Sequence, residues 1–271
     1  GGKTMLRDIT IGQFFPGTSA VHRVDPRVKI VLVIAMIVAL FLAGGPVSYA
    51  LMAGYLFAII SISKVRFKMV VRGLKPILFI IIFTAVLNLF YTPGEELWSW
   101  GFLHITKEGV FVAIEMVIRI MLLIIGTSML TYTTSPIDLT DGLERLMGPF
   151  KKIHVPVHEL AMMMSIALRF IPTLIEETEK IISAQKARGA DFESGNLLQR
   201  AKAMVPILVP LFISAFRRAD ELATAMECRL YRGDEGRTRL KQLKIARVDY
   251  AAIAVSAAVF GAVITLGRMG M

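Results

Sequence analysis

The chain of 271 residues is 55% hydrophobic and 19% charged, with a formal net charge of +10. It is too apolar for a soluble domain and too charged for a protein made only of membrane spans, so it indicates a multi-pass membrane protein with a charged part outside the bilayer. The basic residues do not gather in one patch beside aromatic residues, which argues against nucleic-acid binding, and a single cysteine excludes an intrachain disulfide.

Five segments are apolar and long enough to cross a bilayer, which takes about 20 residues, or somewhat fewer where flanking side chains snorkel. They are residues 28–43, 46–62, 74–91, 110–132 and 250–266. Asp25 is placed to cap the first helix, and Pro26 suits its first turn. Only the tripeptide Gly-Gly-Pro at 44–46 separates the first two spans, so we expect a tight helical hairpin there.

The distribution of charge predicts the orientation in the membrane. Basic residues are frequent before the first span and between the second and third. The loop between the third and fourth spans is mainly acidic and contains Trp98 and Trp100, which suit a membrane interface. The positive-inside rule therefore places the N-terminus in the cytoplasm and the tryptophan-bearing loop outside. With five spans the C-terminus lies outside, and the protein is expected in the cell membrane (inner or plasma membrane).

A long polar insertion, residues 133–247, separates the fourth span from the fifth and is predicted to be cytoplasmic. The predicted organisation is an N-terminal cytoplasmic segment (1–27), a four-helix transmembrane region (28–132), this insertion, and a last transmembrane helix (248–271). Within the insertion, the sequence from Ser135 to Asp138 resembles a capping box that opens a short helix. Two long helices are predicted after it, at 156–188 and 196–229.

Both long helices have apolar middle sections, at 160–175 and 203–216. Prolines interrupt both sections, and charged residues lie within the first and on either side of the second. Two readings follow: the sections form two further spans, or they lie against the inner face of the membrane while the charged helix ends point into the cytoplasm. We favour the second reading, because the later section offers only 14 uncharged residues between Lys202 and Arg217 and prolines break both runs.

The two long helices end in similar sequences. The first ends in AQKARG, closing on Ala187, Arg188 and Gly189, and the second in AMECRL, closing on Cys228, Arg229 and Leu230. A cation in the last turn followed by glycine is a common helix ending, but two instances, each with small residues one and four positions before the arginine, indicate more. Small residues allow another backbone to approach, and the arginine fork pairs with carboxylates or carbonyls. The tips therefore predict two equivalent docking sites on a dimeric cytoplasmic partner.

These tips, the segment HRVDPRVK at 22–29 and the segment RRADEL at 217–222 resemble the T component of energy-coupling factor transporters, which are ABC-type importers of vitamins and transition-metal ions. The resemblance covers nearly the whole chain. It implies an all-α polytopic membrane scaffold that joins two ATPase subunits to a substrate-binding membrane subunit (the S subunit). The coupling residues that it implies, one tip per ATPase, are Ala187, Arg188, Gly189, Cys228, Arg229 and Leu230. The second tip departs from Ala-Arg-Gly at both flanks of its arginine.

The apolar sections of the long helices are then expected to form the platform for the S subunit. Runs of methionine are adaptable packing surfaces that suit exchange between partners. The predicted platform residues are Met162, Met163, Met164, Pro172, Pro206 and Pro210. This function requires no catalytic residue, cofactor or metal in the chain itself. The expected partners are the two ATPases, the S subunit and the lipid bilayer, with no nucleic acid.

An autonomous secondary transporter or channel is the alternative function. A protein of that class is expected to contain inverted repeats and broken helices with polar groups at the bilayer midplane, and neither is evident in the sequence. In the fourth span, Glu115 and Arg119 are one helical turn apart and can pair, either as a functional site or to neutralise each other. The last span carries a stripe of small residues fit for close helix packing: Ala254, Ala257, Ala258 and Gly261.

Overall fold

A computed structural model of the chain describes residues 14–100, 103–192, 196–233 and 243–269. Residues 1–13 of the predicted N-terminal segment and the last two residues of the chain lie outside this description. The described chain is almost entirely helical, as predicted, and adds one two-stranded antiparallel sheet. It divides into two compact units. The bundle unit contains residues 14–146 and 243–269, and the long-helix unit contains the described residues from 147 to 233.

The helices in chain order are α1 (Ala20–Arg23), α2 (Pro26–Leu42), α3 (Gly45–Ser63), α4 (Phe67–Leu74), α5 (Leu78–Tyr91), α6 (Lys107–Thr133), α7 (Pro136–Leu146), α8 (Val157–Ala187), α9 (Leu197–Cys228) and α10 (Arg247–Arg268). Strands β1 (Glu96–Trp100) and β2 (Leu103–Thr106) form a hairpin between α5 and α6. Short 3₁₀ helices at Lys75–Ile77 and Gly148–Ile153 lie before α5 and α8. Helices α8 and α9 and the 3₁₀ helix Gly148–Ile153 belong to the long-helix unit, and all the other helices belong to the bundle unit.

The multi-pass architecture is confirmed. Among the described residues, six helical segments are long and apolar enough to cross a membrane: α3, the α4–α5 segment, α6, α8, α9 and α10. The first predicted span corresponds to α2, which is shorter, at 17 residues. Length and composition thus admit α8 and α9 as spans as well, so these two properties do not decide between the two readings of the long helices.

The predicted helix starts are confirmed at two positions. Asp25 caps α2, because its Oδ1 accepts the backbone N–H of Arg27 at 2.9 Å, and Pro26 is the first residue of the helix. Ser135 caps α7: its Oγ accepts the backbone N–H of Asp138 at 3.1 Å and donates to Asp138 Oδ2 at 2.7 Å. The tight hairpin between the first two spans is also present, since only two residues separate the end of α2 at Leu42 from the start of α3 at Gly45.

Helix α4 and the β1–β2 hairpin are among the elements that were not predicted. Helix α4 lies directly before the third span and is amphipathic: Val70 is buried against Met129 and Tyr132 of α6, while Lys68 and Arg72 are exposed. Its apolar side joins the bundle, and its cations stay at the surface. The β1–β2 hairpin occupies the tryptophan-bearing loop, where the two tryptophans have the two-residue period of a strand.

The core of the bundle unit lies between α2, α3, α6 and α10. All four helices contribute buried apolar side chains, and α10, although last in sequence, packs on both α2 and α3. The buried members of this core are Met36, Ala39, Leu40, Ala43, Tyr49, Met52, Leu56, Leu122, Phe260 and Val263. The last span thereby completes the burial of the first two.

A buried carboxylate joins the N-terminal ends of α2 and α10. Asp249 is 1% exposed, and it accepts the backbone N–H of Asp25 at 2.7 Å and that of Ala246 at 2.6 Å. Asp25 is held in turn by the Arg27 guanidinium, whose Nη2 lies 2.7 Å from Asp25 Oδ2. The hydrogen bond from Arg27 lowers the pKa of Asp25 below its ordinary value, so Asp25 stays ionised at neutral pH.

A buried lysine ties α2 to the end of α6. Lys29 Nζ donates to the Thr133 carbonyl oxygen at 2.9 Å and to Thr134 Oγ1 at 3.1 Å. The starts of α2 and α10 and the end of α6 therefore meet at one end of the bundle. We call it the basic end, after its exposed cations Arg23, Lys64, Arg66, Lys68, Arg72 and Arg247.

Arg119, at the opposite end of the bundle, is not paired with Glu115. Its Nε donates to the Tyr49 hydroxyl at 3.0 Å, and its Nη2 donates to the same hydroxyl and to the Ala43 carbonyl oxygen, the latter at 3.4 Å. The guanidinium also lies 5.7 Å from the centre of the Tyr49 ring. The arginine thus links α6 to the α2–α3 hairpin instead of neutralising a carboxylate on its own helix.

The α2–α3 turn and the end of α10 are in backbone contact at this end. A Cβ added at Gly267 would lie 2.7 Å from the Leu42 carbonyl oxygen and 2.8 Å from the Gly44 nitrogen. The predicted stripe of small residues on α10 does not make such a contact, because all four of its members are exposed. A Cβ added at Gly261, within that stripe, would meet no atom of another described helix within 4 Å.

We predict that Gly267→Ala destabilises the bundle and that Gly261→Ala does not. The methyl group at 267 would overlap backbone atoms that cannot rotate away, and overpacking of this kind costs about 1–3 kcal/mol. The methyl group at 261 has free space, and alanine favours a helix over glycine by about 1 kcal/mol. The measurement is the thermal unfolding midpoint of the purified chain in detergent. A midpoint for Gly267→Ala equal to or above that for Gly261→Ala would contradict the contact.

Candidate functional site

Helices α8 and α9 of the long-helix unit pack against each other in opposite directions. Glu177 of α8 accepts hydrogen bonds from two α9 side chains, Arg218 Nη2 at 3.0 Å and the Ser214 hydroxyl. Further along α8, Gln185 Nε2 donates to the Pro206 carbonyl oxygen at 3.4 Å. A later residue of α8 meets an earlier residue of α9, so the helices are antiparallel. We call these contacts the α8–α9 clamp.

The Gln185 contact has a local cause in α9. In an α-helix the carbonyl of residue 206 accepts the N–H of residue 210, but Pro210 has no N–H. The Pro206 carbonyl therefore lacks its helical partner, and the Gln185 amide supplies a donor in its place. The spacing of the two prolines thus explains one of the points at which the helices touch.

The α8 tip ends in a left-handed cap, as its glycine predicted. Gly189 has a φ of +86°. Its N–H donates to the Lys186 carbonyl, and the N–H of Ala190 donates to the Gln185 carbonyl, both at 3.0 Å. Bonds of this kind satisfy carbonyls that a helix end leaves open. Arg188 stands directly before the cap with an exposed side chain.

The α9 tip has the same backbone geometry with leucine in place of glycine. Leu230 has a φ of +56°. Its N–H donates to the Glu227 carbonyl at 2.9 Å, and the N–H of Tyr231 donates to the Met226 carbonyl at 3.0 Å. Arg229 has φ −91° and ψ 12°, and its counterpart in α8 has φ −86° and ψ 6°. The departure of this tip from Ala-Arg-Gly therefore does not alter its cap.

The leucine at the α9 tip is strained. A non-glycine residue in the left-handed region costs about 1–2 kcal/mol, and such positions concentrate at functional sites. Leu230 is 75% exposed, so burial against the described residues does not offset the strain. The tip thus presents an exposed apolar side chain next to an exposed cation.

The arginines of both tips are free to bind a partner. Arg188 and Arg229 are exposed, and neither side chain makes a hydrogen bond or ion pair with another described residue. The positions one and four residues earlier, also exposed, are Ala187 and Ala184 in α8 and Cys228 and Ala225 in α9. These small side chains leave each tip open to close approach, and a guanidinium presented in this way can bind carboxylates or carbonyls of another protein.

A second surface, which we call the apolar face, consists of exposed large apolar side chains of α8 and α9. Its members, each at least 41% exposed, are Leu160, Met163 and Met164 of α8 and Met204, Val205, Leu208, Val209, Phe212, Ile213 and Phe216 of α9. In α9 they recur at spacings of three and four, which places them on one side of the helix. An exposed apolar area of this extent indicates contact with lipid or with another protein.

The predicted platform residues lie on or beside this face. Met163, Met164, Pro172 and Pro206 are exposed, while Met162 and Pro210 are half-buried. The most exposed part of the face is at the far end of the α9 stripe, inside the predicted section 203–216 but beyond the six named platform residues. There Phe212 and Phe216 stack with their ring centres 6.5 Å apart. Their spacing of four was the signal available in the sequence.

Comparison with known proteins assigns the chain to a family. The family model described as CbiQ, cobalt transport protein, matches residues 17–240. The chain belongs to the CbiQ family. The energy-coupling factor transporter transmembrane protein EcfT of Ruminiclostridium cellulolyticum is 59% identical over 245 residues, which are 90% of this chain and 92% of that relative. The EcfT proteins of Acidaminococcus fermentans and Bacillus subtilis are 54% and 48% identical, over 90% and 88% of this chain and 91% of each relative.

The CbiQ match covers both tips, the clamp and the apolar face. It confirms the family expected from the sequence motifs. Of the clamp residues, Gln185 and Arg218 lie in segments that carried the resemblance, AQKARG at 184–189 and RRADEL at 217–222. Nothing in the local sequence pairs Arg218 with Glu177, because the two residues are 41 positions apart and meet only when the helices pack.

We predict that Glu177→Gln loosens the clamp and that Glu221→Gln does not. Glutamine keeps the shape of the side chain but removes the charge that pairs with Arg218. For a partly exposed pair the loss is about 1 kcal/mol, which corresponds to about fivefold faster amide exchange where local opening controls the rate. The control residue Glu221 pairs with Arg217 in an exposed ion pair, at 68% and 82% exposure.

The measurement for this prediction is hydrogen–deuterium exchange of the full chain over the two helical segments that contain the clamp. The Glu221→Gln variant should exchange like the unaltered chain. Equal exchange rates in the Glu177→Gln and Glu221→Gln variants would show that the Glu177–Arg218 pair does not hold the helices together.

Proposed function

We propose that the chain is the transmembrane coupling subunit of an energy-coupling factor importer. In this role it passes the ATP-driven movement of two ATPase subunits to a substrate-binding S subunit, for uptake of a vitamin or a transition-metal ion. The observation that carries the proposal is the pair of tips with one backbone geometry, each with an exposed arginine that has no partner among the described residues. The CbiQ family and the similarity to EcfT proteins support it.

Two equivalent tips suit a partner that consists of two similar subunits. Each arginine can enter a site on one ATPase and bind carboxylates or carbonyls there through its planar fork. The clamp joins the helices that carry the tips, through Glu177 and Arg218. A movement of one ATPase relative to the other would therefore act on both helices at once.

The proposed orientation follows from the charge of the bundle. Exposed cations gather at the basic end, whereas Arg119 at the other end is tied to Tyr49. The positive-inside rule then places the basic end at the cytoplasm, with the N-terminus inside and the C-terminus outside. Helices α2, α5 and α10 run outward in this orientation, and α3 and α6 run inward. The insertion that bears the tips is cytoplasmic, where ATPases are available.

The apolar face is the proposed platform for the S subunit. Its α9 part is bounded by Lys202 and Arg217, and prolines interrupt the backbone bonds of both helices. Helices of this kind suit the inner surface of the membrane, where the apolar side meets lipid or another membrane protein and the charged ends reach water. Exposed Met163 and Met164 can repack against different partners, so the face suits exchangeable S subunits.

The proposed role needs no catalytic group, cofactor or metal in this chain. In the described ranges, no group of three or more His, Cys, Asp or Glu side chains could hold a metal ion. The alternative of an autonomous transporter or channel calls for broken helices with polar groups at the midplane. Helices α3, α6 and α10 run unbroken, which favours the coupling role.

We predict that Arg188→Ala and Arg229→Ala each weaken binding of the ATPases, and that the double variant is weaker still. Loss of one partner from a buried charge pair costs about 2–5 kcal/mol, which is about 30-fold or more in affinity. Lysine should substitute poorly, because an ammonium group lacks the fork. The measurements are co-purification of the ATPases and ATP-driven uptake. Arg217→Ala, at an 82% exposed side chain away from both tips, is the control.

The Leu230→Gly variant tests whether binding depends on the backbone geometry of the α9 tip or on the Leu230 side chain. Glycine accepts the positive φ without strain and leaves Arg229 in place, so this variant should retain ATPase binding. Normal ATPase co-purification and normal uptake in the Arg188→Ala, Arg229→Ala double variant would contradict the assignment of the tips. Uptake by the chain alone, in vesicles without ATPases, would favour the alternative function.

We predict that the apolar face lies at the cytoplasmic surface of the bilayer and does not cross it. A spin label at Pro210→Cys, in a Cys228→Ser background, should report a shallow depth. The reference is a label at Ala257→Cys, an exposed position midway along α10, which should report the bilayer midplane. A Pro210 label as deep as the Ala257 label would mean that α9 spans the membrane, and the platform would then be wrong.

A further inference from the structure

A cavity of about 320 Å³ lies inside the bundle unit, bounded by α1, α2, α3, α6 and α10. This volume is at the lower end of the range for small-molecule sites, about 300–1,000 Å³. It is too small for a helix, which is about 10 Å across with its side chains. Val24, Lys29 and Val248 are among the lining residues, so the cavity reaches the basic end of the bundle.

The walls of the cavity are apolar, and its few polar groups already have partners. Lys29 Nζ donates to the Thr133 carbonyl oxygen at 2.9 Å. The hydroxyls of Tyr55 and Ser256 are hydrogen-bonded to each other at 2.6 Å. An ordered water needs two or more polar partners, and the few polar groups of these walls are already engaged with one another or with neighbouring oxygens. Their chemistry therefore favours a hydrocarbon occupant.

The cavity opens sideways between α3 and α10. Ile62 of α3 and Val255 of α10 line it, and both are also exposed at the surface of the bundle, at 52% and 57%. Ala251, another lining residue of α10, is exposed as well. Both helices are long and apolar enough to cross a membrane, so the opening faces lipid.

Two exposed cations flank this opening at the basic end. Lys64 follows the lining residue Ile62 by two positions, and Arg247 directly precedes the lining residue Val248. Neither cation has an ion-pair partner among the described residues. Basic residues at the membrane surface beside an apolar opening complement an anionic lipid head group.

We propose that this cavity binds one acyl chain of an anionic phospholipid, with the phosphate group at the rim that Lys64 and Arg247 flank. The apolar walls hold the acyl chain, and the two cations select the head group of the lipid. The bound chain fills the space between α3 and α10 at the basic end, whereas Tyr55 and Ser256 join the same two helices further along. The site does not depend on the coupling role, so failure of the tip variants leaves it unaffected.

The test is binding of phosphatidylglycerol to the purified full chain, measured by native mass spectrometry, with phosphatidylcholine of the same acyl chains as the neutral probe. We expect one retained phosphatidylglycerol per chain. Ala252→Phe places a ring in the cavity and should lower the bound fraction at least about fivefold, whereas Ala254→Phe, on the exposed side of α10, should not. Lys64→Gln and Arg247→Gln should each weaken binding about fivefold. Arg268→Gln, at the other end of α10, should leave binding unchanged.

Equal retention by Ala252→Phe and Ala254→Phe would overturn the cavity as the site of the acyl chain. Equal binding of the two lipids by the unaltered chain would overturn the charged rim. If the unaltered chain forms a dimer and Ala252→Phe abolishes it, the cavity binds a second copy of this chain instead of a lipid. If the thermal midpoint of Ala252→Phe shows that this variant does not fold, the test uses the unaltered chain instead. Short-chain phosphatidylglycerol should then bind at least about tenfold more weakly than the long-chain lipid. Equal binding of the two lipids would refute the proposal.

Discussion

The carboxylate of Asp249 holds together α2 and α10, the first and the last long helix of the bundle. It accepts the backbone N–H of Asp25 at the start of α2, which lies 224 residues away in the sequence, and that of Ala246 at the start of α10. A buried carboxylate is costly unless hydrogen bonds or ion pairs compensate it, and here main-chain donors do so. Lys29 joins the end of α6 to the same place. The two ends of the long insertion, near Thr134 and Ala246, are thereby fixed within the bundle, as a scaffold with an inserted mechanical element requires.

Elements that local chemistry controls could be predicted from the sequence, and contacts between distant residues could not. The apolar spans and the caps at Asp25 and Ser135 depend on residues within about one turn of each other. The local spacing rule also paired Arg119 with Glu115, and this pair does not form. Folding brings the Tyr49 hydroxyl and the open carbonyl at the end of α2 to the arginine. A helix end leaves carbonyls without partners, and no pattern within α6 reveals that one of them lies nearby.

The same distinction applies to the candidate site. Gly189 predicted its cap because glycine readily adopts a positive φ, whereas Leu230 gave no such signal. The cap of α9 is made by main-chain bonds from Leu230 and Tyr231, which do not depend on the identity of the side chain. Ala-Arg-Gly is therefore not necessary for this tip geometry. The invariant part of the two tips is the position of the arginine relative to the cap, and this is the feature that two equivalent binding sites would recognise.

Long helices that transmit movement must be stiff, and an internal proline weakens a helix because it removes a main-chain hydrogen bond. In α9 the bond lost at Pro210 leaves the Pro206 carbonyl open, and Gln185 of α8 donates to it. Gln185 lies within one turn of Arg188, so the weak point of α9 is supported by the tip region of α8. A force applied at the α8 tip then enters α9 directly through this contact, as well as along α8 to Glu177. The packing of α8 on α9 therefore couples the movements of the two tips. This coupling does not depend on contacts between the two ATPases alone.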